Sequence, residues 1–377
     1  MKLLILSCNT GGGHNSAAKA IKQAFEEKGH SCNIEDVLAF GGQKASDLVC
    51  DAYIEMVKKT PKLFGEIYKM GSKIGQLNQQ KGIRSPVYYI NKLYQDALES
   101  YIKENAYDAV VCVHIFAAEA MTNLKKHCRL TIPFYFVATD YYISPMLEET
   151  TPNAIFIAHP DSTFTYLNHG IAKKLLVPTG IPVSSQFTVK KDKNKIRSKL
   201  GLQAQDKVIL LMSGSMGFGD LIDTTRYIFE KGDADTKVIA ITGHNKKLYK
   251  ELEKNFDGEN RLKLLGFTEK VSDYMDASDV LLTKPGGLSS TEALAKGIAI
   301  VHTAPIPGCE SENVQFFTEH HLSLCANDSM DAGRLAIKLL EDQFLRNQIL
   351  AAQDNYRCHD SAGQICDFVL NAFNQSK

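Results

Sequence analysis

The sequence predicts an α/β protein built from two doubly wound parallel sheets, and three observations lead to this prediction. Its 377 residues exceed what one hydrophobic core usually supports, so two domains are expected. Short, continuous apolar runs alternate with helical patterns, which is typical of parallel strands covered on both faces. The pattern of an apolar run followed by a glycine-rich segment occurs twice, near residue 7 and near residue 213, and each occurrence marks the start of a new alternation.

The first half of the chain contains six apolar runs of strand length, with helix-forming stretches between them. The first long helix is predicted from about Asn15 to Lys28, directly after the first glycine-rich segment. The six predicted strands are Leu3–Ser7, Cys32–Val37, Ala109–Val113, Phe134–Val137, Ala154–Ile157 and Leu175–Pro178.

The second half repeats the pattern, and helix-forming sequence again follows each apolar run. A polar joint that contains proline, residues 179–195, predicts a first domain at 1–183 and a second at 184–357. A last helix is predicted from about Ser361 to Phe373. The predicted strands of this half are Val208–Met212, Val238–Thr242, Leu262–Leu265, Val280–Thr283 and Ile298–Val301.

Composition narrows the class of protein. The 43 Lys and Arg residues balance the 43 Asp and Glu residues, which argues against a protein dominated by nucleic-acid binding. The nine cysteines have no repeated spacing and indicate buried thiols in a reducing compartment rather than a metal or disulfide framework. No apolar run reaches the length of a signal peptide core or a transmembrane helix. We therefore expect a cytoplasmic protein.

Residues 53–95 interrupt the alternation of strands and helices. This stretch holds eight Lys or Arg residues against two Glu residues, interleaved with many large apolar side chains. Such a segment would attract anionic head groups and bury apolar surface at a membrane interface. We expect peripheral association with the inner face of the cell membrane; the alternative is a solvated, charged face on a helical insertion.

The first glycine-rich segment reads CNTGGGHNSAAK and follows the first predicted strand. Gly11, Gly12 and Gly13 would let a ligand approach the backbone at the carboxyl end of the sheet, although a purely structural turn is the alternative. The spacing differs from the dinucleotide fingerprint, so a nicotinamide enzyme is disfavoured. His14 then stands where the helix dipole would lower its pKa. It is a candidate general base for a hydroxyl nucleophile, or alternatively a packing residue.

Three further loops follow predicted strands in the second half. SGSMGFGD at 213–220 reads as a diphosphate cradle and lacks the Gly-Lys-Ser/Thr of a Walker loop. In KPGGLSSTEALAKG at 284–297, Gly286 and Gly287 make a turn before Ser289 and Ser290 begin a helix.

Two acidic positions in these loops are candidates for binding hydroxyl groups. Glu292 lies in the first turn of its predicted helix, where it would bind ribose hydroxyls or simply stabilise the helix. Glu310 and Asn313 in APIPGCESENVQFF are three residues apart and would share one helix face toward a sugar.

Together, these motifs resemble the monogalactosyldiacylglycerol synthase and processive diacylglycerol β-glucosyltransferase group of glycosyltransferase family 28. The resemblance is carried by GGGHNSAA, TGIPV, GSMGFG, KPGGLSSTEAL and PGCESEN in this order along nearly the whole chain. It implies a GT-B fold of two Rossmann-like domains, with the C-terminal helix, about 358–377, packed back on the first domain. It also implies an inverting transferase without an active-site metal or other cofactor, which uses a UDP-sugar donor at a membrane surface.

The resemblance also implies roles for individual residues. His14 matches the proposed base for a lipid hydroxyl, and Asp140 is a second candidate for that base or for orienting His14; a simple loop acid is the alternative. Glu292 matches a ribose carboxylate, and Glu310 with Asn313 matches the pair that faces the sugar. The remaining donor-site positions are Gly214, Ser215, Gly217 and Phe218 near the diphosphate, Phe267 at the uracil, and Gly287, Leu288, Ser289 and Ser290 at a phosphate-binding helix start.

Two stretches depart from the family's pattern. After Thr139-Asp140-Tyr141 many relatives have a histidine and then a tryptophan, whereas this chain has no tryptophan. Cys309 stands where glutamine is common. Both departures concern the acceptor and the choice of sugar, while the UDP motifs are intact.

The expected reaction is therefore hexose transfer, of glucose or galactose, from UDP to the hydroxyl of diacylglycerol. Two alternatives stay open. One is a UDP-N-acetylglucosamine transferase that acts on another lipid-linked acceptor, as in the peptidoglycan enzyme with the same fold. The other is a sensor that binds a UDP-sugar without turnover.

Overall fold

The computed structural model describes residues 1–9, 11–42, 85, 88–89, 91–127, 129–214 and 221–375. Most of the predicted membrane segment, 53–95, lies outside the described residues. So do Ser215, Gly217 and Phe218 of the predicted diphosphate cradle.

Twelve strands form two six-stranded sheets in the described part of the chain, and every pairing is parallel. The predicted fold class is thereby confirmed. The first sheet contains Lys2–Ser7 (β1), Ser31–Asp36 (β2), Ala109–Cys112 (β3), Phe134–Val137 (β4), Ala154–Ile157 (β5) and Leu176–Pro178 (β6). The second contains Lys207–Met212 (β7), Thr236–Ile241 (β8), Leu262–Leu265 (β9), Val280–Thr283 (β10), Ala299–His302 (β11) and Leu324–Cys325 (β12).

Each sheet has the strand order of a doubly wound fold. The first runs β2-β1-β3-β4-β5-β6, and the second runs β12-β11-β10-β7-β8-β9. In both sheets the chain reverses its direction of winding beside the first strand, β1 or β7. Loops at the carboxyl ends of the central strands therefore meet at the position where this architecture binds ligands.

Helices connect the strands and cover the sheets. The described helices are Gly12–Glu27, Gln95–Glu104, Ile115–Lys126, Thr163–Asn168, Ser185–Thr188, Lys193–Leu200, Leu221–Lys231, Lys246–Asn255, Val271–Ala277, Gly287–Lys296, Cys309–Glu319, Ser329–Glu341, Gln343–Asp354 and Ser361–Gln375. Short 3-10 helices occupy Val37–Gly41, Asn91–Tyr94, Leu147–Glu149, Pro160–Ser162 and Lys173–Leu175.

Strand β1 shows why continuous apolar runs form these sheets. Leu3 and Ile5 pack into one buried cluster, and Leu4 and Leu6 pack into another on the opposite face. Successive side chains of a strand alternate between faces, so a strand covered on both sides needs apolar residues at every position. All four side chains are fully buried.

The first helix begins at Gly12, three residues before the predicted start at Asn15. Glycine destabilises a helix interior. Its cost is smaller in the first turn, because the amides there have no hydrogen-bond partner within the helix. His14 consequently lies within the first turn itself.

The chain divides into two compact units. The first comprises Met1–Ser184, Ile306–Cys309 and Asp360–Lys377, and the second comprises Ser185–Pro305 and Glu310–His359. No helix among the described residues is long and apolar enough to span a membrane.

The last helix, Ser361–Gln375, completes the core of the first unit. Ile365, Cys366 and Val369 are fully buried in the cluster that contains Leu3 and Ile5 of β1. Burying an aliphatic side chain of this size contributes about 1.5–3 kcal/mol, so the packing is a substantial part of the unit's stability.

Candidate active site

Loops after three neighbouring strands bring polar side chains to the carboxyl edge of the first sheet. Strands β1, β3 and β4 are adjacent, so the segments that follow them lie side by side. These segments supply His14, His114, Thr139 and Asp140. The sequence indicated His14 and Asp140; His114 and the contact made by Thr139 were not foreseen.

Hydrogen bonds fix the tautomer of His14. Its Nδ1 lies 2.9 Å from the carbonyl oxygen of Val113 and 3.1 Å from Oγ1 of Thr139. A carbonyl oxygen can only accept, so Nδ1 carries the hydrogen and donates it. In a neutral ring Nε2 then keeps its lone pair, which is the form that a general base requires.

Burial lowers the pKa of His14 below its ordinary value of 6.5. The Asp140 carboxylate and the hydrogen bond to Val113 oppose this shift, but desolvation is the larger effect. The direction matches the expectation, and burial is its largest cause. The imidazole is therefore neutral at pH 7.

The glycines before His14 leave the amides of the first helical turn without a side-chain cap. Gly11 is the N-cap residue, with φ −176° and ψ 156°, and no side chain bonds the helix start. That conformation is extended and open to any residue, and a Cβ at Gly11 would meet no atom within 4 Å. Neither backbone nor packing therefore requires glycine there.

A polar chain holds this loop against the sheet. Ser7 Oγ donates to Asn15 Oδ1 at 2.6 Å, and Asn15 Nδ2 donates to Asn9 Oδ1 at 2.8 Å. Asn9 Nδ2 in turn donates to Asp36 Oδ2 at 2.9 Å. These bonds tie the ends of β1 and β2 to the helix that carries His14. Sequence reasoning missed them, although the asparagines on either side of the glycines were a usable signal.

In the second unit, the side chain of a lysine packs against the first glycine of the predicted diphosphate loop. Gly214 has φ +70°, and a Cβ there would lie only 2.8 Å from Cε of Lys284. The left-handed backbone conformation favours glycine at this position, and the absence of a Cβ leaves room for the end of the Lys284 side chain. Lys284 Nζ donates to Glu310 Oε1 at 2.9 Å, and the Glu310 side chain is nearly buried. Lys284 was not among the predicted site residues.

The helix Gly287–Lys296 begins with uncapped amides at the carboxyl end of β10. Its N-cap residue is Gly286, which cannot supply a side-chain acceptor. The amides of Gly287, Leu288 and Ser289 occupy the first turn, where no bond within the helix is available. These groups suit an anionic ligand, as the sequence predicted for this helix start.

Ser290 and Asn313, two of the predicted donor-site residues, are buried and have polar partners within the second unit. The Ser290 hydroxyl is fully buried 3.0 Å from His302 Nε2, and its amide bonds the Gly286 carbonyl. Asn313 is also fully buried, and its Nδ2 donates to the Pro285 carbonyl at 3.1 Å. Both side chains therefore have protein partners beside the turn between β10 and the helix Gly287–Lys296, as buried polar groups require, and their predicted ligand-site roles stay predictions.

Glu292 is the sixth residue of the helix Gly287–Lys296 and therefore lies in its second turn, so the predicted first-turn position was wrong. Burial raises the pKa of the Glu292 carboxyl to about 8, so this side chain is largely protonated at pH 7. Phe267, after β9, is 61% exposed and stacks on the His244 ring with centroids 4.5 Å apart and planes 14° apart. The stacked pair offers a flat apolar face.

No group of three or more His, Cys, Asp or Glu side chains arranged to hold a metal ion occurs in the part of the chain that the structure describes.

Two family models match the two halves of the chain. Residues 14–183 match the model described as monogalactosyldiacylglycerol (MGDG) synthase, and residues 192–354 match glycosyl transferases group 1. Curated relatives match along nearly the full length. A processive diacylglycerol β-glucosyltransferase of Bacillus mycoides (strain KBAB4) is 25% identical over 382 residues, and one of Bacillus cereus (strain AH187) is 26% identical over 385 residues. Each alignment covers 98% of this chain and 93% of the relative.

Solved structures share the fold at low identity. A Staphylococcus aureus MnaA–UDP structure has a TM-score of 0.68 at 14% identity, covering 99% of this chain and 97% of that one. Acinetobacter baumannii MurG has a TM-score of 0.61 at 13% identity, covering 98% and 99%. With the two parallel sheets, these likenesses show a GT-B fold.

The chain is similar to the processive diacylglycerol β-glucosyltransferases along nearly its full length, and its residues 14–183 match the monogalactosyldiacylglycerol synthase family model.

Proposed function

We propose that this protein is an inverting hexosyltransferase that moves a sugar from UDP to the hydroxyl of diacylglycerol and so makes a membrane glycolipid. The observation that carries the proposal is His14, whose hydrogen-bonded Nδ1 leaves Nε2 free to accept a proton. Glucose is the favoured hexose, because the curated relatives are named as glucosyltransferases; galactose is the competing donor.

The reaction requires a base and a stabilised leaving group. His14 Nε2 takes the proton of the acceptor hydroxyl while its oxygen forms a bond to the anomeric carbon. The bond from that carbon to the diphosphate breaks, and UDP departs with the bonding electrons. The amides of Gly287, Leu288 and Ser289 and the ammonium of Lys284 offset the charge that develops on the diphosphate.

The proposal is tested by incubating the purified protein with diacylglycerol vesicles and labelled UDP-glucose, UDP-galactose or UDP-N-acetylglucosamine. Lipid extraction and chromatography should show a glycosylated diglyceride with one of the first two donors. Transfer only from UDP-N-acetylglucosamine would contradict the assigned sugar. Binding of UDP-sugars without any product would instead identify a sensor.

Membrane association is proposed through residues 53–95, whose eight cations and large apolar side chains suit an anionic surface. The protein should sediment with vesicles that contain anionic lipid at low salt, and high salt should release it. Binding to neutral vesicles that equals binding to anionic vesicles, at both low and high salt, would contradict the assignment.

We propose that no metal is needed at the active site, because helix amides and Lys284 supply the positive potential that a cation would otherwise provide. Turnover should therefore be unchanged after treatment with EDTA and should not rise when Mg²⁺ or Mn²⁺ is added back. Loss of activity on chelation, with recovery on addition of one cation, would contradict this.

Replacing Gly286 by serine should weaken UDP binding. The N-cap backbone at φ −79° and ψ 140° suits a serine whose Oγ accepts from the first helical turn, and a Cβ there would meet Lys284 Cε at an ordinary 3.9 Å. The variant should be as stable as the parent, or more so by roughly a few tenths of a kcal/mol. Its Kd for UDP should rise about tenfold or more, because a hydrogen bond to a charged group contributes at least about 1.5 kcal/mol.

Isothermal titration calorimetry with UDP checks this result. Gly11→Ser is the matched control, since it caps the helix start of the first unit and should leave UDP binding unchanged. Equal UDP affinity of Gly286→Ser and the parent would remove this helix from the diphosphate site.

The raised pKa of Glu292, about 8, predicts two effects of pH. The folded state binds this proton more tightly than the unfolded chain, whose carboxyl titrates near 4.5. Its contribution to the free energy of unfolding is thus complete below pH 4.5 and is lost as pH rises toward 8. Glu292→Gln should flatten this part of the pH dependence in urea unfolding.

If Glu292 binds ribose hydroxyls as a carboxylate, UDP should also displace its proton. Calorimetry at pH 7 in buffers of different ionisation enthalpy should then show proton release for the parent and much less for Glu292→Gln. Equal proton release from both proteins would contradict this role.

A further inference from the structure

A second histidine, His114, lies directly against the candidate base. The centroids of the His14 and His114 rings are 4.7 Å apart, and the ring planes are nearly perpendicular at 86°. His114 follows β3 and is the N-cap residue of the helix Ile115–Lys126. Its ring also contacts Phe116 at 4.6 Å between centroids. The ring of His114 is thus held on one side by its own helix and meets His14 on the other.

The helix cap determines the protonation of His114. The Phe116 amide donates to His114 Nδ1 at 3.2 Å, so Nδ1 holds a lone pair and Nε2 carries the hydrogen of the neutral ring. Protonation at Nδ1 would break this hydrogen bond, because the Nδ1 hydrogen and the Phe116 amide hydrogen would then point at each other. Burial and the neighbouring His14 also hold the pKa of His114 well below 6.5. His114 is therefore a neutral ring in a fixed orientation.

The turn that holds His114 also holds the polar edge of His14. Val113, whose carbonyl accepts from His14 Nδ1, is the residue immediately before His114. One short segment after β3 thus fixes the tautomer of His14 through its backbone and the plane of His14 through a side chain. Of the titratable groups that act on His14, Asp140 favours the imidazolium, whereas a proton on His114 would repel it.

We propose that His114 is a positioning residue for the reaction, which holds His14 as a neutral, correctly oriented base. The assignment rests on the proposed role of His14 in glycosyl transfer. It gives His114 no contact with substrate; it acts on His14 alone.

The test uses His114→Asn, which retains an N-cap acceptor for the Phe116 amide but removes the ring. His159→Asn is the matched control, because His159 caps the 3-10 helix Pro160–Ser162 by accepting from the Asp161 amide at 3.2 Å. Proton–carbon NMR spectra of the histidine Cε1 groups follow the titration of His14, which is assigned by its loss in His14→Ala. The same proteins are then assayed for kcat/KM across pH.

In His114→Asn, His14 should titrate at a pH higher by roughly half a unit to one unit, and the acid limb of kcat/KM should move with it. Turnover should fall about tenfold to a hundredfold through loss of orientation. The control should keep the parental titration and turnover. His114→Ser, a second capping variant, replaces His114→Asn if the latter does not fold.

A parental His14 titration in the folded His114 variant would overturn the proposal, whatever happens to turnover. The NMR result does not depend on the donor or the acceptor. The NMR titration can therefore still be interpreted if the proposed transferase activity is absent, and failure of one proposal can be distinguished from failure of the other.

Discussion

Replacing His14 by alanine should lower kcat by about two to four orders of magnitude, the range typical of a lost general base. UDP affinity should be nearly unchanged, because the candidate UDP-binding residues all belong to the second unit. Turnover is measured from labelled UDP-glucose with diacylglycerol vesicles, and UDP affinity by calorimetry. Normal turnover of His14→Ala would remove the residue from the mechanism, and Asp140 would become the candidate base.

The parent protein should also show where this base titrates. The pKa of His14 is lowered by burial, so the base stays neutral as pH falls through 6.5 and is lost only at lower pH. The acid limb of kcat/KM should consequently lie below pH 6.5. An acid limb above that value would mean that another group controls the reaction or that His14 is charged at rest.

Replacing Lys284 by methionine should lower kcat by about a hundredfold to a thousandfold, as for the loss of one group that stabilises developing negative charge. Methionine keeps an unbranched side chain of similar size beside Gly214, so packing against the glycine is preserved. The informative measurement is the affinity for UDP compared with that for uridine. Lys284→Met should weaken UDP binding by about tenfold or more and leave uridine binding unchanged.

A structural role for Lys284 would give a different result, since a distorted loop would weaken uridine and UDP together. Lys193→Met is the matched control. Lys193 bonds Asp279 at 2.6 Å beyond the amino end of β10, away from the candidate site. An unchanged ratio of the two affinities in Lys284→Met would exclude the ammonium from the diphosphate site.

The strands were predictable because burial on both faces imposes a strong local pattern. Phe134–Val137, Ala154–Ile157, Leu262–Leu265 and Val280–Thr283 have the predicted bounds. The two-residue strand Leu324–Cys325 lacked a predicted range, since a run this short has no period of its own. Helix starts were less predictable. The first helix begins at Gly12, and glycine is equally compatible with a loop before a helix and with the first turn of the helix itself.

The candidate site was predictable where its chemistry follows a strand directly, as for His14. Its partners were not, because Thr139 lies 125 positions away in the chain and reaches His14 only through the order of strands in the sheet. Lys284 gave no local signal, since lysine is common and its significance arises from its contact with Gly214. The hydrogen bonds of Ser290 to His302 and of Asn313 to Pro285 were likewise not predictable, because they join residues that only the fold brings together.

The position of the last helix has a consequence for biosynthesis. Ile365 and Val369 belong to the same buried cluster as Leu3 and Ile5, yet the ribosome adds them only after every residue of the second unit. The first sheet therefore keeps one apolar face incompletely covered until residues 361–375 have been synthesised. Chains that stall before residue 361 would expose this face to chaperones, proteases and one another.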